Sequence, residues 1–157
     1  MKESVSIEEV INDNGFFVNT IEGMSMHPML RPNRDTVLIR PYTGRLKKYD
    51  VALYKVGDNY ILHRIIKVLP DSYIIRGDHR MDKEYGITDD DIIGVLEEFY
   101  RDNKQIKVTN VWYKVYTIVW NYIFPIRFLN SRTVMLYRRI RGGLGRLKRS
   151  FFRKESK

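Results

Sequence analysis

The sequence predicts a mainly β protein: a small curled antiparallel β domain with a short N-terminal helix and a helical, basic C-terminal tail. Three observations lead there. Between Phe16 and Tyr100, short runs rich in β-branched and aromatic residues alternate with Gly, Pro, Asn and Asp turn signals. After Asn103 the apolar spacing changes to that of a helix. From Asn130 onward ten Arg/Lys face one acid, Glu155, so the whole net charge of +9 sits in the last 28 residues and residues 1–129 balance at 18 basic and 18 acidic groups. A length of 157 residues suits one domain with a real core.

The elements follow in order. Ser6 and Glu9 form a capping box for a short helix that Asn14-Gly15 ends. Strands are expected at Phe16–Ile21, Thr36–Arg40, Asp50–Val56, Tyr60–Val68, Ser72–Arg76 and Ile92–Tyr100, with Gly57-Asp58-Asn59 as a hairpin turn. Val111, Val115, Ile118, Val119, Tyr122, Ile123 and Ile126 fall at helical spacing, and Pro125 should kink or end that helix. A second helix is expected at Thr133–Ile140, before the Gly142-Gly143-Leu144-Gly145 breaker. The expected division is 1–102 for the β domain and 103–157 for the aromatic helix and cationic tail.

Composition removes several kinds of chemistry. Without cysteine there are no disulfides, thiolate nucleophiles or cysteine-ligated zinc, and three histidines make a histidine-rich metal site a poor expectation. The N-terminus is polar and acidic with no apolar run behind its lysine, so no signal peptide is visible. No stretch of 18 uncharged apolar residues occurs.

One segment stands out chemically. Glu22-Gly-Met-Ser-Met-His-Pro-Met-Leu30 is too apolar for an ordinary loop and too broken for a helix. A serine nucleophile needs a sharply turned backbone with N–H groups aimed at the developing oxyanion. Gly23 permits close approach, Pro28 fixes the chain after Ser25, and Met24, Met26 and Met29 offer apolar cleft walls. Taken alone, a serine in such a loop is most often an ordinary turn residue. His63, on the same strand face as Ile61 and Ile65, has the intrinsic basicity to take a hydroxyl proton, and is equally a core histidine bonded to a carbonyl. The cluster from Arg76 to Glu84 offers carboxylates to orient that histidine, or is a solvated turn.

Gly23-Met24-Ser25-Met26-His27-Pro28 resembles the nucleophile box G-x-S-M-x-P of type I signal peptidases. Asp50-Val51-Ala52, His63-Arg64-Ile65-Ile66, Arg76-Gly77-Asp78 and Ile93-Gly94-Val95 resemble that family's later boxes, in the same order, over residues 16–100. Most bacterial members carry lysine where this chain has His63; histidine there is similar to the archaeal and endoplasmic-reticulum branch. The resemblance implies the β fold of the signal peptidase type and a serine endopeptidase that cleaves a signal or leader peptide through an acyl-enzyme. It implies Ser25 as nucleophile, helped by its own backbone N–H, and His63 as general base. Asp78 matches the Gly-Asp aspartate; Asp82 is the choice for the second acid and Glu84 the reserve. Lys55 and Lys67 remain alternative bases outside the base box. The resemblance also implies a substrate bound extended along a strand, small residues at the cleaved position, and no cofactor.

Two rivals stand beside this. The self-cleaving repressors of the same superfamily use Ser/Lys and carry a helical DNA-binding domain before the serine. A catalytically silent member would act as a binding or regulatory module. Family members typically have a membrane anchor before the serine box; here that anchor is expected to be absent and replaced by the C-terminal part. Trp112, Tyr113, Tyr116, Trp120, Tyr122, Phe124 and Phe128 followed by Arg/Lys suit a peripheral anchor on an anionic membrane, cytoplasmic side favoured. Packing of the aromatic helix as core, and contact of the basic end with nucleic acid, are the competing readings.

Overall fold

The computed structural model describes residues 6–131 and Thr133. Apart from Thr133, the expected second helix at Thr133–Ile140 and the basic end lie outside the described residues. The chain divides into a compact unit ending at Asn121 and a second beginning at Tyr122, in which residues 124–131 are helical.

Helix α1, Ile7–Asn14, starts at the expected box: Glu9 N–H donates to Ser6 Oγ at 3.2 Å and Ser6 N–H to the Glu9 carboxylate at 2.9 Å. Gly15, with φ of 74°, closes it in the left-handed conformation that an L side chain resists. Eight strands follow: β1 Phe17–Thr20, β2 Asp35–Arg40, β3 Val51–Val56, β4 Asn59–Val68, β5 Tyr73–Arg76, β6 Glu84–Ile87, β7 Ile92–Arg101 and β8 Lys104–Lys107. All pair antiparallel in the order β1-β2-β7-β3-β4-β5-β6, with β8 added to β7. The fold is therefore the mainly β one expected.

β3 lies in the middle of that order, and its first four residues are all buried. Alternation explains why. Val51 and Leu53 face one core with Ile39, Leu96 and Phe99, while Ala52 and Tyr54 face a second with Ile65, Tyr73 and Ile75. Bulges at Leu38/Ile39, Leu53/Tyr54 and Ile65/Lys67 curl the sheet.

The expected boundary near residue 102 is corrected. β8 extends the sheet past it by pairing Ile106 with Phe99, and helix α2, Val111–Tyr122, buries Tyr113 and Thr117. The Tyr113 ring packs on Phe99 at 6.3 Å, so the inner face of α2 is core. No helix of the described residues is long and apolar enough to cross a membrane.

Gly94 pairs with Leu53 where β7 passes from β3 to β2. A Cβ there would meet the Arg40 carbonyl oxygen and Ile39 Cγ2, each at 2.7 Å. Gly94→Ala should therefore cost about 1–3 kcal/mol of unfolding free energy, read by urea denaturation, because a backbone atom cannot yield as a side-chain end does.

Candidate active site

The segment before β2 turns sharply at Gly23, whose φ of 74° is left-handed. A helix-like turn follows, with His27 N–H donating to Met24 O at 3.1 Å and Leu30 N–H to Met26 O at 2.9 Å. Ser25 stands at its start, half-buried, with its hydroxyl and backbone N–H bonded to no other described residue. Several contacts hold the turn in place. His79 N–H donates to the Ser25 carbonyl at 2.8 Å, and Arg101 Nη2 donates to the Met29 carbonyl. The buried Asp35 carboxylate accepts Arg31 N–H at 2.9 Å and the Arg34 guanidinium.

His63 lies on β4 opposite Ala52, only 4% exposed. Its Nδ1 is 2.9 Å from Glu84 Oε1 and 3.1 Å from the Tyr54 hydroxyl, while that hydroxyl donates to Glu84 Oε2. A carboxylate accepts only, so Nδ1 carries the proton and Nε2 is left with its lone pair. That nitrogen faces the serine turn. A Cβ added to Gly77 would lie 2.9 Å from His63 Nε2 and 2.6 Å from the Ser25 carbonyl oxygen, so Gly77 is the gap across which turn and imidazole approach. Ser25 and His63 line one cleft of about 670 Å³, shared with Arg80 and Glu84 and walled by Phe17, Ile21, Met26, Val37, Leu53 and Leu62.

Burial is the largest influence on His63 and pushes its pKa below the ordinary 6.5; Glu84 opposes this and Arg80 adds to it. Tyr54 is raised far above its usual value by burial and by Glu84, so it stays a donor.

The acid at His63 is thus Glu84, and the expectation of Asp82 is corrected: the Asp82 side chain is 81% exposed and its partner is Arg80, at 3.5 Å. Asp78 serves another cation. Its two oxygens accept Arg64 Nε at 2.8 Å and Nη2 at 2.9 Å, and Arg64 is wholly buried. Being adjacent to His63 on a strand, Arg64 points to the opposite face. Of the alternative bases, Lys55 pairs with Glu8 at 3.4 Å, which raises its pKa, and Lys67 is exposed; neither lines the cleft. Met26 is a cleft wall as expected, but Met29 is core, its sulfur accepting from Arg64 Nη2 at 2.8 Å, and Met24 is half exposed. His27 and His79 form an edge-on ring pair at 5.6 Å.

Sequence reasoning missed Tyr54 and the roles of Gly77 and Arg64. The signal for Glu84 was strand register: Ile65 pairs with Ile75 and Ile75 with Glu84, so Glu84 shares the His63 face. Among the described residues no group of three or more His, Cys, Asp or Glu is arranged to hold a metal ion. A scan of protein-family models matches none to this chain, and no curated protein matches it either.

The assignment of Glu84 is open to a direct test. In Glu84→Gln the imidazole loses its anionic partner, so the His63 titration midpoint should fall further below 6.5. In Asp82→Ala it should barely move. Imidazole NMR shifts against pH measure both, and a midpoint that rises in Glu84→Gln would overturn the assignment.

Proposed function

We propose that the protein is a serine endopeptidase that cleaves an extended peptide through an acyl-enzyme, with Ser25 as nucleophile, His63 as general base and Glu84 orienting the imidazole. The observation that carries this is the 2.9 Å contact between His63 Nδ1 and Glu84 Oε1, which selects the Nδ1–H tautomer and leaves the basic Nε2 turned to the serine segment. Ser25 Oγ attacks the scissile carbonyl while Nε2 takes its proton. The unpartnered backbone N–H of Ser25 receives the oxyanion. Collapse of the tetrahedral intermediate expels the amine, which takes the proton from His63, and leaves an ester on Ser25. Water, deprotonated by the same nitrogen, then hydrolyses the ester.

The cleft supports a peptide as substrate. β1 pairs only with β2 among the described strands, so its other edge is open to backbone pairing, and Phe17, Asn19 and Thr20 line the cleft. The apolar walls suit a hydrophobic stretch beside the cleaved bond, in keeping with the signal or leader peptide that the boxes around Ser25 and His63 imply.

Ser25→Ala should reduce cleavage of a hydrophobic leader peptide on the order of 10⁴-fold or more at unchanged stability. The parent protein should show a mass increase on Ser25 equal to the N-terminal product less one water during turnover. A Ser25→Ala protein that cleaves like the parent would sink the proposal.

Gly77→Ala supplies a separate check, because it adds one methyl between the Ser25 carbonyl and the imidazole, which pushes the serine turn from His63 and removes neither reacting group. Turnover should fall by about 100-fold, as a displacement near 1 Å does. Circular dichroism should report the fold retained, and an undiminished rate would show that the gap at Gly77 has no part in the chemistry.

A further inference from the structure

Helix α2 is apolar on two sides, and only one of them is used. Its inner side holds Tyr113 and Thr117 in the core and sends the Trp120 indole N–H to the Asp78 carbonyl at 2.9 Å. Its outer side carries Val111, Trp112, Val115, Ile118 and Val119, exposed by 71, 79, 44, 54 and 50%. At 3.6 residues per turn, positions 111, 115 and 118 stack in a stripe, with 112 and 119 one row beside it. A surface helix of a water-facing domain puts polar residues there; α2 has one charged residue in all, Lys114, and no acid.

We infer that this outer face of α2 is a docking surface for an anionic lipid bilayer. Charge selects the occupant. Lys114 and Lys48 line the same surface depression as Ile118, placing cations beside the apolar stripe. Asp50, the acid in that depression, is engaged by the Lys47 N–H at 2.7 Å. The sequence that follows α2 adds ten Arg/Lys and one Glu from Asn130 onward. Aliphatic side chains and an indole entering the headgroup boundary, with lysines at its rim, satisfy both halves of this chemistry.

Other occupants fit it less well. A second copy docked face to face would bring the Lys48 and Lys114 pairs of two chains together. A nucleic acid would answer the charge but leave the Val and Ile stripe in water, since phosphates are met by cations and hydrogen-bond donors. The inference is independent of the chemistry at Ser25, because it is read by binding and not by turnover.

The test is co-sedimentation of the full chain with phosphatidylglycerol/phosphatidylcholine vesicles and with phosphatidylcholine alone, together with tryptophan fluorescence. Expected are binding to the anionic vesicles only, a blue shift as Trp112 leaves water, and weakening by added salt. The double variant Trp112→Ser, Val119→Ser should bind the anionic vesicles about tenfold more weakly or worse, because two apolar side chains that would enter the bilayer are removed. Both positions are exposed, so the variant keeps its fold, checked by an unchanged melting temperature. Equal binding by variant and parent would overturn the inference, since charge alone would then suffice. Equal binding to neutral vesicles would also overturn it. So would full displacement from vesicles by duplex DNA at matched phosphate, or a lipid-free dimer in light scattering that the double variant dissolves.

Discussion

The fork between Arg64 and Asp78 is the constraint on which the arrangement around His63 rests. A guanidinium with no exposed surface carries a desolvation cost that only a well-placed anion offsets, and Asp78 meets it with two bonds, at 2.8 and 2.9 Å. The remaining donors reach the Tyr49 carbonyl at 3.0 Å, the Tyr113 hydroxyl at 3.2 Å and Thr117 Oγ1 at 3.3 Å. One side chain thereby joins the loop before β3, strand β4, the segment after β5 and helix α2. Arg64 follows His63 and Asp78 follows Gly77, so the ion pair sets the distance between two adjacent residues on the other side of the same backbone. Those are the imidazole and the gap it shares with the Ser25 carbonyl. A buried pair is weak evidence for net stability, but removal of either partner is severe, and that gives it authority over geometry.

Two carboxylates in this region consequently have different work. Asp78 answers a cation that never loses its proton. Glu84 answers an imidazole that must gain and lose one, and it is partly open to the cleft. Burial favours the neutral imidazole strongly enough that His63 titrates below its ordinary value despite Glu84. With the folded pKa below the unfolded one, the unfolded chain binds more protons as pH drops below 6.5, so this group's contribution to stability is present above 6.5 and is lost as pH falls through the folded value. The neutral form that suits proton abstraction is therefore also the form the fold prefers.

Much of this was legible in the chain, and the failures have one cause. The capping box at Ser6, the central strands and the apolar face of Ile61, His63 and Ile65 depend on local pattern, and local pattern is written in sequence. β6 and β8 were not read as strands. Glu84-Tyr-Gly-Ile87 has a glycine and a charge in four residues, and Lys104-Gln-Ile-Lys107 is too polar to register. With β6 taken as loop, the choice of Asp82 over Glu84 rested on the resemblance alone, which implies a second aspartate a few residues after Gly77-Asp78. Which carboxylate reaches a histidine is a matter of register between strands, and pairing of Ile75 with Glu84 is invisible until the sheet is assembled.

The same register accounts for the identity of the acid. β5 lies between β4 and β6, so the backbones carrying His63 and Glu84 are separated by two strand spacings, about 9.5 Å. An imidazole spans part of that distance, and the carboxyl group must cover the rest from the far strand. Glutamate has one methylene more than aspartate, which suits a carboxylate launched from two strands away. Tyr54 completes the span from the other side: on β3 it is a diagonal neighbour of His63, and its hydroxyl bonds both Glu84 and Nδ1. A long acid on β6 and a phenol on β3 thus close on the imidazole from opposite sides of β4. The loop between β5 and β6 is left to position Gly77 and to bond the Ser25 carbonyl through His79.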